Sequence, residues 1–455
     1  MSPTKFTRRR LVAIDLFAGV GGLSLGFEQA GFDVLAALEY DPIHATTHHF
    51  NFPLTEVLCR DARQVGAHDL LEAARRGWRR HHPTGPAWDG VVDAVIGGPS
   101  CQGFSVGGRR QLDDERNQLL LEFVRLVVEI RPQVFCLENV PGLLEPRHDE
   151  VREQALASLA EAGYCITGSD GPLNAADFGV PQNRRRLLVV GSLVSPITIS
   201  RASKLATVTV EQAFDGLPDP SRYEGLWVGD SVELSTSDIA SLDAATSNYA
   251  RYMSGVERDP LDRARPRQWN RLRLTNSLLT RHSTTSIERF DATPQGKEEP
   301  VSRCYRLDPC KQARTLRAGT GRERGAFTSP RPVHPYFPRA ITVREAARLH
   351  SFPDWFRFNV TNWHGHRQIG NSVPPLLARG VGIEIARSLG SIPSRGRVAL
   401  PFGKETLLRM SPQEALIAVA GNPNEAPPPR KRKPRVRAST SSTSRAAVIH
   451  PVSVI

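Results

Sequence analysis

Along residues 11–192 short apolar runs alternate with longer segments whose apolar positions recur at helical spacing. LVAID, DVLAALEY, VDAVIGG, QVFCLENV and RLLVVGSL are the short runs, and each predicts a buried strand. LSLGFEQAG and NQLLLEFVRLVVEI carry the longer period and predict helices. Strands separated by helices pair in parallel, because a parallel neighbour requires a crossover. The expected fold class is therefore α/β, a doubly wound, mostly parallel sheet with helices on both faces. Residues 63–90, with RRGWRRHHPTGP, read as a basic loop inserted before VDAVIGG.

The alternation stops at about residue 194, and up to 330 short segments rich in arginine and turn residues suggest a smaller, irregular domain. Order returns at ITVREAARLHSFPDWF, where Thr342 and Glu345 have the spacing of a capping box. A second helix follows NSVPP through LLARGVGIEIARSL. The division expected is a first catalytic part over 1–193, a recognition domain over 194–330, and a return to the catalytic domain over 331–395. A low-complexity basic tail over 396–455, Pro-, Ser- and Arg-rich from Asn422, reads as disordered.

No apolar run is long enough to span a bilayer, so no membrane partner is expected. TKFTRRRLVAIDLF places basic residues before an apolar run as a signal peptide does, but Asp15 interrupts it and no cleavage site follows. Six cysteines without a Cys-x-x-Cys pair argue against a zinc ribbon or disulfide scaffold and fit free thiols in a reducing cytoplasm. No metal site is expected. The net charge of +12 points to a polyanionic partner, nucleic acid first. The tail PPPRKRKPRVR supplies part of that charge, but arginines also crowd RARPRQWNRLRLTNSLLTR at 263–281.

Two stretches carry candidate chemistry. IDLFAGVGGLSLGFEQAGF passes from strand to glycines to helix, which brings backbone N–H groups close to a nucleotide-like ligand. Glu39, at the end of the next strand, is placed to hold ribose hydroxyls. A dinucleotide and S-adenosylmethionine both fit; Gly19-x-Gly21 is present, but the third glycine of G-x-G-x-x-G falls on Ser24. The second stretch, VIGGPSCQGFS, sets Cys101 on a strand-end turn with little bulk around it. A thiolate so placed is a nucleophile when its pKa is depressed. Glu138, in the LENV that ends the next strand, comes to the same carboxyl edge of a parallel sheet. Gln182-Asn183-Arg184-Arg185-Arg186 precedes a further apolar strand and offers arginines for a phosphate or an acid.

DLFAGVGGLSLGFEQAGF, GGPSCQGFS, DERNQLLLEF, ENVPGLL, QNRRR, TVREAARLHSFPDWF and RQIGNSVPP together resemble the DNA cytosine-5 methyltransferases, in that family's linear order from residue 11 to about 390. The resemblance implies the Rossmann-like fold of S-adenosylmethionine-dependent methyltransferases and a methyl donor held by Phe17, Ala18, Gly19, Gly21, Glu39, Tyr40, Asp61, Ala62, Pro99, Leu119, Asn371, Ser372 and Val373. It implies Cys101 as nucleophile at C6 of a flipped-out cytosine and Glu138 as the acid at N3, with Arg184 and Arg186 positioning the base and the thiol. Candidate DNA contacts are Gln102, Ser105, Arg271, Arg273 and Arg281. One departure is Ser100, where the family has a second proline before the cysteine.

A tRNA-methylating relative is disfavoured by the long 194–330 segment, and a catalytically dead DNA-binding homologue by the intact Cys101, Glu138 and QNRRR. A nicotinamide-dependent oxidoreductase has only the glycine loop in its favour. The expected substrate is double-stranded DNA. The expected setting is a bacterial or phage modification system, the chain acting as a monomer without a stable complex with a cognate nuclease.

Overall fold

The computed structural model describes residues 10–99, 117–168, 171–199, 206–320 and 330–420. The first half of the chain forms β1 (Leu11–Leu16), α1 (Gly22–Ala30), β2 (Phe32–Glu39), α2 (Pro42–Asn51), β3 (Glu56–Cys59), α3 (Ala67–His81), β4 (Ala94–Gly97), α4 (Asn117–Ile130), β5 (Val134–Asn139), α5 (Asp149–Glu161) and β6 (Cys165–Gly168). Then come β7 (Leu173–Asn174), β8 (Gln182–Asn183) and β9 (Arg185–Ser192). The middle region holds α6 (Val210–Phe214), β10 (Val232–Glu233), α7 (Thr236–Asp243), α8 (Asn248–Met253), β11 (Arg273–Leu274), α9 (Thr284–Ala292) and β12 (Ala313–Arg314). The chain closes with α10 (Val343–Leu349), α11 (Asn362–Asn371), α12 (Pro375–Ser388) and α13 (Pro412–Ala420).

The main sheet runs in the order β3-β2-β1-β4-β5-β9-β6, with β7 paired to β9. β1 to β5 are parallel, as the alternation predicts. β9 pairs antiparallel with both β5 and β6, because the described residues between β6 and β9 hold no α-helix to make a crossover. The parallel register puts Leu16 opposite Leu38 and Gly97, and Gly97 opposite Leu137. Phe17, Glu39, Gly98 and Glu138 therefore come next in line along one carboxyl edge.

Three expectations change. The basic loop of 63–90 is largely α3, whose Leu70, Ala73, Ala74 and Gly77 bury one face at helical spacing while its arginines face outward. A Cβ on Gly77 would stand 2.0 Å from the Leu35 carbonyl, so the helix lies directly on β2. The region 194–330 is not a body apart: Val210, Ala213, Met253, Leu307, Ala313 and Leu316 enter the same core as α1 and α12. A small cluster around Leu226, Leu274 and Leu279 stands by itself. Residues 396–420, expected to be part of a disordered tail, are folded, with Leu408 fully buried against Phe50. Residues 421–455 lie outside the described residues.

The capping box at Thr342 forms as expected. Glu345 accepts from the Thr342 N–H at 2.6 Å and takes both ends of the Arg339 guanidinium at 2.8 and 2.9 Å. The carboxyl is buried, yet Arg339 and His334 bring it down to about 2. A carboxyl lowered on folding stabilises the protein fully above its unfolded value near 4.5, and that stabilisation is lost as pH falls toward 2. Glu345→Gln is expected to cost about 3 kcal/mol at pH 7, because it leaves the buried Arg339 with only the longer pairing to Asp219 at 3.4 Å. Thermal melts of both proteins from pH 7 to 3 check this: the gap between them must narrow below about pH 4.5.

Candidate active site

The carboxyl edge of the sheet gathers the chemistry. β1 ends in a tight turn with positive φ at Phe17, Gly19 and Gly21, and α1 starts at Gly22. Glu39, at the end of β2, accepts from the Gly19 N–H at 2.8 Å and from the Asp41 N–H at 2.7 Å. Burial, with Asp41 beside it, pushes the Glu39 carboxyl up to about 7 despite those two donors. A Cβ on Gly19 would meet no atom within 4 Å, so the outer side of the turn is open to a ligand. Asp61 follows β3, caps the next turn through the Arg63 N–H at 3.0 Å and pairs with the Arg63 guanidinium at 2.6 Å. Ala62 is buried beside it.

Beneath this turn Asp15 is fully buried, and Ser24 donates to it at 2.6 Å while its hydroxyl also lies 3.0 Å from His48 Nε2. Ser24 thus fills the place of a third glycine with a hydroxyl that Asp15 requires. Burial holds Asp15 up at about 7 and His48 down at about 3.

The far end of the chain returns to the same place. Between α11 and α12, Ser372 and Val373 lie against the start of α1, where a Cβ on Gly22 would stand 2.3 Å from the Val373 carbonyl. Arg184 and His350 hold that turn. Arg184, 1% exposed, donates to the carbonyls of Gly370 at 2.7 Å, Ser372 at 3.0 Å and Leu316 at 3.0 Å. His350 Nε2 donates to the Ser372 carbonyl at 2.9 Å, which leaves Nδ1 to accept from Gln182 Nε2 at 2.9 Å. Burial next to Arg184 keeps this imidazole neutral.

Glu138 and Arg186 make the other half of the site. Leu188 is the register partner of Glu138, and Arg186 lies two residues before Leu188, so Arg186 and Glu138 share a face. Arg186 Nε meets Glu138 Oε1 at 2.7 Å, with both side chains close to nine-tenths buried. The other oxygen, Oε2, lies over Gly98, where a Cβ would come within 2.7 Å. Gly98 is therefore what admits the carboxylate to the strand end that leads, through Pro99, to Cys101.

The family model of C-5 cytosine-specific DNA methylases matches residues 11–387. The chain belongs to that family. The type II methyltransferase M.XorII of Xanthomonas oryzae pv. oryzae is 44% identical over 94% of this chain and 98% of its own length. M1.HphI of Haemophilus parahaemolyticus is 32% identical over 82% of this chain and 85% of its own. The crystal structure of a prophage-encoded DNA modification methyltransferase of E. coli aligns with a TM-score of 0.66 at 33% identity, covering 83% of this chain and 99% of that one. The S. pombe Dnmt2 methyltransferase structure, at 16% identity and TM-score 0.51, shares the fold. The protein is thus a sequence-specific DNA cytosine-5 methyltransferase, a transferase that uses a methyl donor and acts on DNA.

In this methyltransferase the predicted donor-site positions Phe17, Ala18, Gly19, Gly21, Glu39, Tyr40, Asp61, Ala62 and Pro99 stand at or beside the ends of β1–β4, with Leu119 near the start of α4. Ser372 and Val373 join them through the contact with Gly22, and Asn371 precedes them at the end of α11. Cys101, Gln102 and Ser105 lie outside the described residues. Arg184 spends its two terminal nitrogens on three carbonyls and so fixes the Ser372 turn. The recognition arginines are also engaged within the chain. Arg271 pairs with Asp243, Arg273 with Glu405 at 3.0 Å, and Arg281 lies over the Trp227 ring at 5.5 Å. His350, which follows the end of α10, and Gln182, in β8, carry no sequence signal that links them; only the packed structure brings both to the Ser372 turn.

Gly22→Ala tests the closure of the two chain ends. Its methyl group must displace the Val373 carbonyl, at a strain of about 1–3 kcal/mol. Binding of S-adenosylhomocysteine, measured by calorimetry, is expected to weaken about tenfold or more. Gly66→Ala, whose Cβ would meet only a Glu129 oxygen at 3.9 Å, should leave it unchanged.

Proposed function

We propose that the enzyme transfers the methyl group of S-adenosylmethionine to cytosine by covalent catalysis through Cys101, as the modification component of a restriction-modification system. The observation that carries this reading is the Glu138–Arg186 pair set over Gly98, three positions before Cys101. The donor site fits its ligand in two ways: a glycine turn with open space beside Gly19, and a carboxyl group at the end of β2 where ribose hydroxyls would bind. When bound, S-adenosylmethionine supplies an electrophilic methyl group and leaves as the neutral thioether.

The chain's own residues make C5 reactive. Cys101 thiolate adds to C6, and the electron pair displaced from the C5–C6 bond passes toward N3. Glu138 hydrogen-bonds the exocyclic amine and gives N3 a proton, so charge does not build on the ring. Arg186 holds Oε1 and thereby turns Oε2 to the base. The resulting enamine is nucleophilic at C5. After methylation, loss of the C5 proton to solvent restores the double bond and expels Cys101 as thiolate, and N3 returns its proton to Glu138. The target base leaves the stack to reach these groups. The enzyme is proposed to work as a cytoplasmic monomer on double-stranded DNA, without a stable complex with a cognate nuclease.

Bisulfite sequencing of DNA from a host lacking 5-methylcytosine and expressing this chain tests the reading. Protected cytosines in one short sequence context are expected. Uniform conversion with soluble, folded enzyme would overturn it.

A further inference from the structure

The family match ends at residue 387, but the chain continues as a strap along the catalytic unit to residue 420. Phe402 stacks on Phe50 at 5.1 Å, and the Gly403 N–H donates to the Phe50 carbonyl at 2.9 Å. These contacts fasten the strap to the end of α2, after which α13 packs along α2 and β3. There Leu416 and Val419 cover a trough of small side chains formed by Ala18, Ala37, Ala45, Val57 and Cys59.

That trough is the underside of the donor site. Ala18 belongs to the glycine turn, and its N–H is bonded to the Leu38 carbonyl at 3.0 Å, next to Glu39. Cys59 ends β3 two residues before Asp61, and its thiol points to the Tyr40 carbonyl at 3.8 Å. Alanine and cysteine side chains are too short to fill the space beneath these turns. The two larger residues of α13 fill it.

We propose that α13 is a positioning element of the methyl-donor site, with Leu416 and Val419 supporting from behind the turns that carry Ala18, Tyr40 and Asp61. The proposal rests on the donor site proposed above. Trimming either side chain leaves a void behind the turns, which then lose their fixed separation, and a loosely supported site binds less well even with every ligand-facing residue present.

Calorimetric titration of full-length enzyme with S-adenosylhomocysteine tests it. Leu416→Ala and Val419→Ala are each expected to raise Kd about three- to thirtyfold. In steady-state assays KM for the donor rises while kcat at saturating donor and KM for DNA hold. A general loss of folded protein would lower the binding stoichiometry and leave Kd unchanged, which would overturn the proposal. Leu416→Met restores the volume and is expected to restore Kd. Ile417→Ser, on the same helix but 65% exposed, is expected to have no effect. Phe17→Ala separates the two layers of inference. Unchanged Kd in Phe17→Ala and in the α13 variants overturns the donor-site reading and this one with it. Weakened binding in Phe17→Ala alone overturns only the role of α13.

Discussion

A duplex with 5-fluorocytosine at the target position is expected to trap wild-type enzyme in a covalent complex that survives denaturation, while Cys101→Ser traps none and loses at least about ten-thousandfold in methyl transfer. Fluorine cannot leave C5 as a cation, so elimination stops after the methyl group has been transferred, and the C6–sulfur bond remains. The contrast with the other thiols makes the test specific. Cys59 and Cys136 are buried, and burial pushes the Cys59 thiol up to about 12 and the Cys136 thiol higher still. Neither is a thiolate near neutral pH. Cys165 is exposed at the start of the edge strand β6, and Cys304, half-buried, and Cys310, exposed, lie in the middle region. A peptide map that places the adduct on any of these, or an adduct that persists in Cys101→Ser, would remove Cys101 from the mechanism.

The parts of this protein legible in its sequence are those where local pattern and tertiary demand agree. β1, β2, β4 and β5 are apolar because both faces of each are covered, and α4 repeats its apolar face without interruption. α3 gives a weak apolar signal because RRGWRRHH is dominated by arginine and histidine, while the residues that bury its inner face are mostly alanine and glycine. The direction of β9 is not written in RLLVVGSL at all; it follows from what joins β6 to β9. Charge misled in the same way. Arg265 and Arg267, in the most basic internal stretch, pair inward with Asp33 at 3.5 Å and Glu28 at 2.7 Å, and so fasten that arm to α1 and β2. The folded strap is not legible in the sequence because its apolar residues are spaced for docking on a pre-existing surface, not for a period of their own. For the site, the motifs locate Glu138 and Arg186, yet only the packed structure separates Arg186, which meets the acid, from Arg184, which holds the Ser372 turn.

Glu138→Gln is expected to lower kcat about a hundred- to ten-thousandfold with little change in KM for DNA. The amide keeps the size of the carboxyl and can still accept from the exocyclic amine of the base, so the ground-state contact survives. It has no proton of suitable acidity for N3, so addition of Cys101 would have to build negative charge on the ring. A matching rise in KM would instead show that Glu138 serves mainly to bind the base. Arg186 acts through Glu138, with its Nε 2.7 Å from Oε1, so Arg186→Lys should cost less than Glu138→Gln. Lysine retains the charge but cannot offer a planar guanidinium N–H at the same point. The double variant is then expected to be no slower than Glu138→Gln alone, because once the acid is gone its orienting partner has nothing left to hold. Full additivity of the two losses would mean that Arg186 makes a contact of its own in the transition state, to the thiol or the base, independent of the carboxyl it faces in this structure.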